Sequence, residues 1–164
     1  MGDCGAKWAA SDASPRPKLQ MLLGEYEHTI DDKNRLTLPA KFRPAFAEGI
    51  VVTRGFDGCL YAYRRPDFAR LVESRLATLD PFSRAARQVQ RHLLSAAVET
   101  ELDKQGRVML PAALLTHAKL NRDVVVAGVD DHLEIWDREL WRAELAELEG
   151  SAEDVAERLA AKHD

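Results

Sequence analysis

Residues 30–39 read IDDKNRLTLP and residues 102–111 read LDKQGRVMLP. At an offset of 72, Asp31 aligns with Asp103, Arg35 with Arg107, Leu38 with Leu110, Pro39 with Pro111 and Ala40 with Ala112. A match of this length in fixed order marks an internal duplication. Ahead of the first copy, Tyr26, His28 and Ile30 alternate with Glu25, Glu27 and Thr29. Ahead of the second, Val98, Thr100 and Leu102 alternate with Glu99 and Glu101. Period-2 alternation predicts half-buried strands. The following turns, Asp32-Lys33-Asn34 and Lys104-Gln105-Gly106, end on Asn and Gly, the residue types that best tolerate positive φ in a tight hairpin. Return strands are expected over residues 35–38 and 107–110. Proline stops both, since it lacks a strand donor but suits the first turn of a helix; short helices are expected over 40–46 and 112–118.

The repeat continues after a one-residue slip: Val51-Val52 against Val124-Val125, Leu60 against Leu133, Tyr63 against Trp136, Phe68 against Trp141. A second hairpin is therefore expected in each half, over 50–53 with 60–63 and over 124–127 with 133–136. Each half should close with an amphipathic helix, carrying Phe68, Leu71, Val72, Leu76 and Leu79 in the first and Trp141, Leu145 and Leu148 in the second. Between the halves, Pro81 is expected to start a further helix lined by Phe82, Ala86, Val89 and Leu93. Neither half has enough strands to close a sheet alone, so one shared β core is expected in an α+β chain. The organisation read from the sequence is a disordered leader at 1–20, a first half at 21–80, a connecting helix at 81–96, a second half at 97–149 and an acidic C-terminal tail at 150–164. Met21 could open a shorter product.

Composition excludes some classes of function. Of the 164 residues, 46% are hydrophobic and 30% charged, as in ordinary globular domains. No apolar run approaches the roughly 18–20 residues that cross a bilayer, and the leader MGDCGAKWAASDASPRPKLQ has no apolar stretch of the secretory kind. Cys4 and Cys59 form neither a disulfide framework nor a Cys-x-x-Cys zinc site, which fits a reducing cytoplasm. The net charge of −4 speaks against nucleic acid only until it is mapped. Residues 137–164 hold nine Asp/Glu against four Lys/Arg, so the rest of the chain is slightly basic.

Asp31 and Arg35 flank a three-residue turn, so their side chains should meet at a hairpin base. An isolated exposed pair of this kind is usually a minor ion pair. Its recurrence as Asp103 and Arg107 suggests a purpose: a carboxylate beside a guanidinium fixes one rotamer and presents the planar donor fork outward. Phosphates and guanine edges accept from such a fork, and a two-stranded ribbon fits the major groove. Lys33 and Lys104 on the turns could add phosphate contacts, although Lys104 stands one place earlier and Gln105 occupies the Lys33 position. Arg84, Arg87 and Arg91 share one helical face that reads as solvated surface. The five histidines show no metal-ligand spacing, and no phosphate loop or nucleophile elbow is present. Trp136, Trp141, Tyr61 and Tyr63 read as core or subunit interface.

The run GEYEHTIDDKNRLTLPAKFR, with LDKQGRVMLPAAL and the Leu-Glu-Ile-Trp of 133–136, strongly resembles the MraZ family of bacterial transcriptional regulators over about residues 21–149. That resemblance implies a swapped-hairpin β-barrel related to AbrB-type regulators, built from two pseudo-equivalent halves with flanking helices. It implies a ring-like homo-oligomer that binds repeated promoter elements upstream of a division and cell-wall gene cluster, in the cytoplasm and nucleoid. The motif positions it assigns to DNA are Asp31, Arg35, Asp103 and Arg107. The expected partners are double-stranded promoter DNA and further copies of the chain, with no membrane, small-molecule substrate, cofactor or metal, and no enzymatic activity. Two other classes remain open at this point: an AbrB-like protein-interaction or scaffold module whose arginines bind a partner, and a hydrolase using Asp31 or Asp103 as a base. The hydrolase lacks a second catalytic group nearby.

Overall fold

The computed structural model describes residues 20–162, so the leader up to residue 19, with Cys4, lies outside the described residues. Across the described residues the chain forms eight strands and four α-helices: β1 Leu22–Thr29, β2 Arg35–Thr37, β3 Ile50–Arg54, β4 Leu60–Tyr63, α1 Arg65–Leu71, α2 Arg84–Leu94, β5 Val98–Thr100, β6 Arg107–Met109, α3 Ala112–His117, β7 Asp123–Asp130, β8 His132–Asp137 and α4 Arg138–Ala161. None of these helices is long and apolar enough to cross a membrane.

Six strands make one antiparallel sheet in the order β1-β7-β8-β4-β3-β5, and β2 pairs with β6 in a separate ribbon. Strands of the two halves are mixed throughout. β1 of the first half lies on β7 of the second along a ladder from Leu22↔Asp130 to Thr29↔Asp123. Reciprocally, β5 of the second half lies on β3 of the first, through Ile50↔Thr100 to Val52↔Val98. The hairpins β3–β4 and β7–β8 meet in the centre, where Leu60 faces Ile135.

Alternation sets the faces. Leu133 and Ile135 of β8, Val124 and Val126 of β7 and Ile50 and Val52 of β3 are buried in one cluster. Leu36 and Leu38 after the first turn, and Val108 and Leu110 after the second, join the same cluster, so the ribbon closes over the sheet. Each such side chain contributes about 1.5–3 kcal/mol through apolar burial. On the other side, α4 begins against the sheet with the Trp141 ring 5.6 Å from that of Trp136. Phe68 of α1 reaches Tyr63 at 5.7 Å.

Four elements differ from expectation. Residues 40–46 do not form an α-helix: a 3₁₀ turn occupies Arg43–Phe46. Pro44 lacks the N–H that an α-helix would direct to residue 40, and the i→i+3 bonds Phe42 to Pro39 and Ala45 to Phe42 take over. The connecting helix starts at Arg84 and not at Pro81, because the Ser83 hydroxyl accepts from the Ala86 amide and caps it. Phe82 consequently stands before the helix, 91% exposed, instead of lining its apolar face. The first closing helix is α-helical only over α1 and continues as a π-helical turn, Val72–Leu76, ahead of Leu79. The second, α4, is capped by the Asp137 carboxylate on the Leu140 amide and runs on through the acidic segment after residue 149.

Candidate nucleic-acid interface

Each Asp-x-x-x-Arg turn is closed by its own carboxylate. Asp31 Oδ1 accepts from the amides of Lys33 at 2.9 Å and Arg35 at 3.0 Å, while its Oδ2 accepts from Arg35 Nε at 2.8 Å. In the second copy, Asp103 Oδ1 accepts from the amides of Gln105 and Arg107, both at 2.9 Å, and Oδ2 from Arg107 Nε at 2.8 Å. The backbone repeats as faithfully. Asp31 and Arg35 are joined N–H to C=O at 3.0 Å, as are Asp103 and Arg107. Asn34 and Gly106 take the positive φ values, 61° and 75°, that let the chain reverse. An aspartate is the right length here, since its short side chain folds back onto amides two and four residues ahead.

These bonds hold both carboxylates ionised. For Asp31 the amide of Arg35 is the largest influence, and together with the Lys33 amide and the guanidinium it outweighs burial to set the carboxyl below its ordinary range. Asp103 is lowered likewise, first by the amide of Arg107 and then by its guanidinium and the Gln105 amide. The turns therefore keep their charge-assisted Nε bonds at any physiological pH.

The ribbon brings the two copies together. Arg35 pairs with Met109, Leu36 with Val108 and Thr37 with Arg107. Two crossing bonds extend this pairing: Leu38 N–H donates to Gly106 O at 3.0 Å and Leu110 N–H to Asn34 O at 2.8 Å. These are equivalent bonds under the 72-residue offset, so a local twofold relates the two turns. Arg107 Nη1 lies 3.9 Å from Asp31 Oδ2, linking one motif to the other. Leu36 and Val108 face the core, which leaves Arg35, Thr37, Arg107 and Met109 on the outer face of the ribbon. Lys33 and Lys104 are exposed on the turns.

The copies also differ. Arg107 Nη2 donates to Gln105 Oε1 at 3.3 Å, a contact that Lys33 cannot supply to Arg35. The side chain of Arg43 was not anticipated as part of this region. Its Nε donates to Leu38 O at 2.9 Å at the end of β2. A Cβ on Gly106 would meet Arg43 Cδ at 2.5 Å, so this guanidinium stem passes directly beneath the second turn. Leu115 occupies the equivalent position in the second copy, so comparing the repeats could not reveal Arg43. Arg84, Arg87 and Arg91 stay on α2, where Arg87 Nη1 donates to Pro81 O, and do not join the ribbon. His132 packs among Tyr61, Tyr63, Asp131 and Glu134 at the other end of the sheet.

The fold and the ribbon define an internally duplicated, antiparallel-sheet protein with one Asp-x-x-x-Arg turn in each half. The profile of the MraZ protein family, described further as antitoxin-like, matches residues 21–92 and again 93–162. The second match begins one repeat length after the first. The transcriptional regulator MraZ of Limosilactobacillus fermentum is 48% identical over 144 residues, covering 88% of this chain and 97% of the relative. Those of Heliobacterium modesticaldum and Ligilactobacillus salivarius are 47% and 45% identical, each across 85% of this chain and 96% of the relative. The chain belongs to the MraZ family.

Proposed function

We propose that this chain is a sequence-specific DNA-binding transcriptional regulator that lays its β2–β6 ribbon in the major groove. The observation that carries the reading is the juxtaposition of two carboxylate-locked arginines on one ribbon, linked by the 3.9 Å approach of Arg107 to Asp31. With Nε engaged by its aspartate, each guanidinium keeps terminal N–H bonds for an outside acceptor in a rotamer already fixed on folding, fewer at Arg107, whose Nη2 also donates to Gln105. Guanine O6/N7 edges and phosphates are acceptors of matching geometry. Lys33 and Lys104 sit where a groove-bound ribbon would meet the backbone, and there they act as sequence-independent anchors. The relatives' name, transcriptional regulator, supports the same reading.

The finer expectations belong to this proposal. The interleaved strands support a swapped-hairpin, AbrB-like barrel, with halves at 21–80 and 97–149 joined through 81–96. One ribbon offers two motif arginines, a modest grip, so binding is multivalent through a ring of copies on repeated elements. The targets are promoter repeats upstream of the division and cell-wall genes, including the chain's own gene, within the nucleoid. The description of the family as antitoxin-like favours one second reading, in which the same arginines bind an acidic protein partner.

Electrophoretic mobility shifts on the DNA immediately upstream of the chain's own gene separate these readings. Replacing Arg35 or Arg107 with Ala costs about 1–3 kcal/mol per bidentate base contact and relaxes discrimination between sites. A phosphate-only role instead weakens all sequences alike and lowers the salt slope by about 0.9 for each phosphate no longer neutralised. Full operator binding by the Arg35→Ala, Arg107→Ala double variant, with fold and assembly intact, refutes the proposal.

A further inference from the structure

The outer face of the ribbon obeys the local twofold in its arginines and breaks it beside them. Arg35 and Arg107 are equivalent under the twofold, and so are Thr37 and Met109. One end of the face is therefore an Arg–Met cross-strand pair, the other a Thr–Arg pair. Met109 is 60% exposed, whereas its neighbours Val108 and Leu110 are fully buried. No other large hydrophobic residue on β2 or β6 is exposed. An unbranched thioether standing in water opposite Arg35 gains nothing in the unbound protein.

The major groove contains one strongly apolar feature, the 5-methyl group of thymine. Every other base edge there presents a donor or an acceptor, and Met109 against such an edge would leave it desolvated and unpaired. Directly opposed residues of an antiparallel pair have Cβ atoms about 4.5–5.5 Å apart, against a rise of about 3.4 Å per base. On a groove-bound ribbon Met109 would thus lie over a base pair adjacent to the one that Arg35 faces.

We propose that Met109 contacts a thymine 5-methyl group next to the base read by Arg35 and thereby orients the ribbon on its site. This rests on the ribbon reading above. The twofold places the two arginines alike for an element read in either direction, so their positions alone give the ribbon no polarity. Thr37 offers a hydroxyl where Met109 offers only an apolar surface, so the two ends of the ribbon select different bases, and the repeats of an operator are read with one polarity.

The test uses the full chain and the DNA upstream of its own gene, amplified with either thymidine or deoxyuridine triphosphate, so that the second fragment lacks every 5-methyl group. The wild type is expected to bind the uracil fragment more weakly, by about fourfold for each thymine methyl that Met109 covers. Met109→Ala is expected to bind the thymine fragment more weakly and to lose little more on the uracil one. The Arg35→Ala variant, with Met109 retained, keeps the thymine preference while its overall affinity falls. An unchanged thymine-to-uracil ratio in Met109→Ala overturns the Met109 assignment and leaves the ribbon reading standing. A change in oligomeric size of Met109→Ala by light scattering also overturns it, since Met109 would then be a contact between copies. If the wild type fails to bind the thymine fragment, the ribbon reading falls and this inference with it.

Discussion

The seam between the two halves can be tested at a single glycine. Gly128 of β7 stands opposite Gly24 of β1 in the ladder that joins the first half to the second. A Cβ placed on Gly128 would lie 2.6 Å from the carbonyl carbon of Leu22 and the amide nitrogen of Leu23. Ordinary contact begins near 3.4 Å, so about 0.8 Å of separation must be found, and it must come from backbone. No rotamer relieves it. Gly128→Ala therefore pushes the start of β1 off β7, loosening the end of the ladder near Leu22↔Asp130 and the buried Leu22 side chain. Overpacking of this kind costs about 1–3 kcal/mol, a fall in Tm of roughly 2–12 °C for a chain of this size. Gly150→Ala is the matched control. It lies inside α4 with nothing within 4 Å of its Cβ. Restoring a helix former there is worth about 0.5–1 kcal/mol, which raises Tm by roughly 1–4 °C. Calorimetry gives the two shifts, and amide exchange locates the first in β1. Gly128→Ala with wild-type Tm and wild-type protection in residues 22–25 would refute the described seam.

Two further outcomes are expected. Burial disfavours the charged form of His132, but Glu134 and Asp131 outweigh it and hold the imidazole above its ordinary 6.5. The stability this residue contributes is then full below pH 6.5 and lost as pH rises through the raised value; a Tm difference between wild type and His132→Gln that stays constant with pH counts against it. A chain beginning at Gln20 keeps the carbonyl that receives Arg64 Nη1 at 2.6 Å, and it should shift promoter DNA as the full chain does. Weaker binding at unchanged Tm would assign DNA contacts to the first 19 residues.

Local features of the fold were readable because they are written locally. The alternation of Tyr26, His28 and Ile30 with polar partners, the positive-φ residues Asn34 and Gly106 and the stopping prolines all act within a few residues of themselves. Partner choice is different. Alternation says which face of β1 is apolar but not that β1 pairs with β7 of the other half, since any strand of matching pattern satisfies it. Element ends failed where a single residue decided them: Pro44 turned a helix into a 3₁₀ turn, and Ser83 moved a helix start past Phe82. The continuation of α4 was hidden by Gly150, whose cost of about 1 kcal/mol is small in a helix whose Leu148, Val155 and Leu159 keep the helical spacing.

The candidate site divides along the same line. Asp31 closes its turn with three bonds that all come from residues two and four positions ahead, so the spacing Asp-x-x-x-Arg is itself the structure. Duplication then argued that the spacing had been kept twice for a reason. What no spacing could supply was the relation between the copies. That relation depends on the β2–β6 pairing and on the crossing bonds from Leu38 to Gly106 and from Leu110 to Asn34. Each of those carbonyls belongs to the positive-φ residue of one turn, and each donor to the residue before the proline that ends the other return strand. The residues that reverse each hairpin are therefore the ones that clamp it to its twin. A substitution that disturbs Asn34 or Gly106 must loosen both arginines at once, so the two motifs act as one structural unit although 72 residues separate them in the chain.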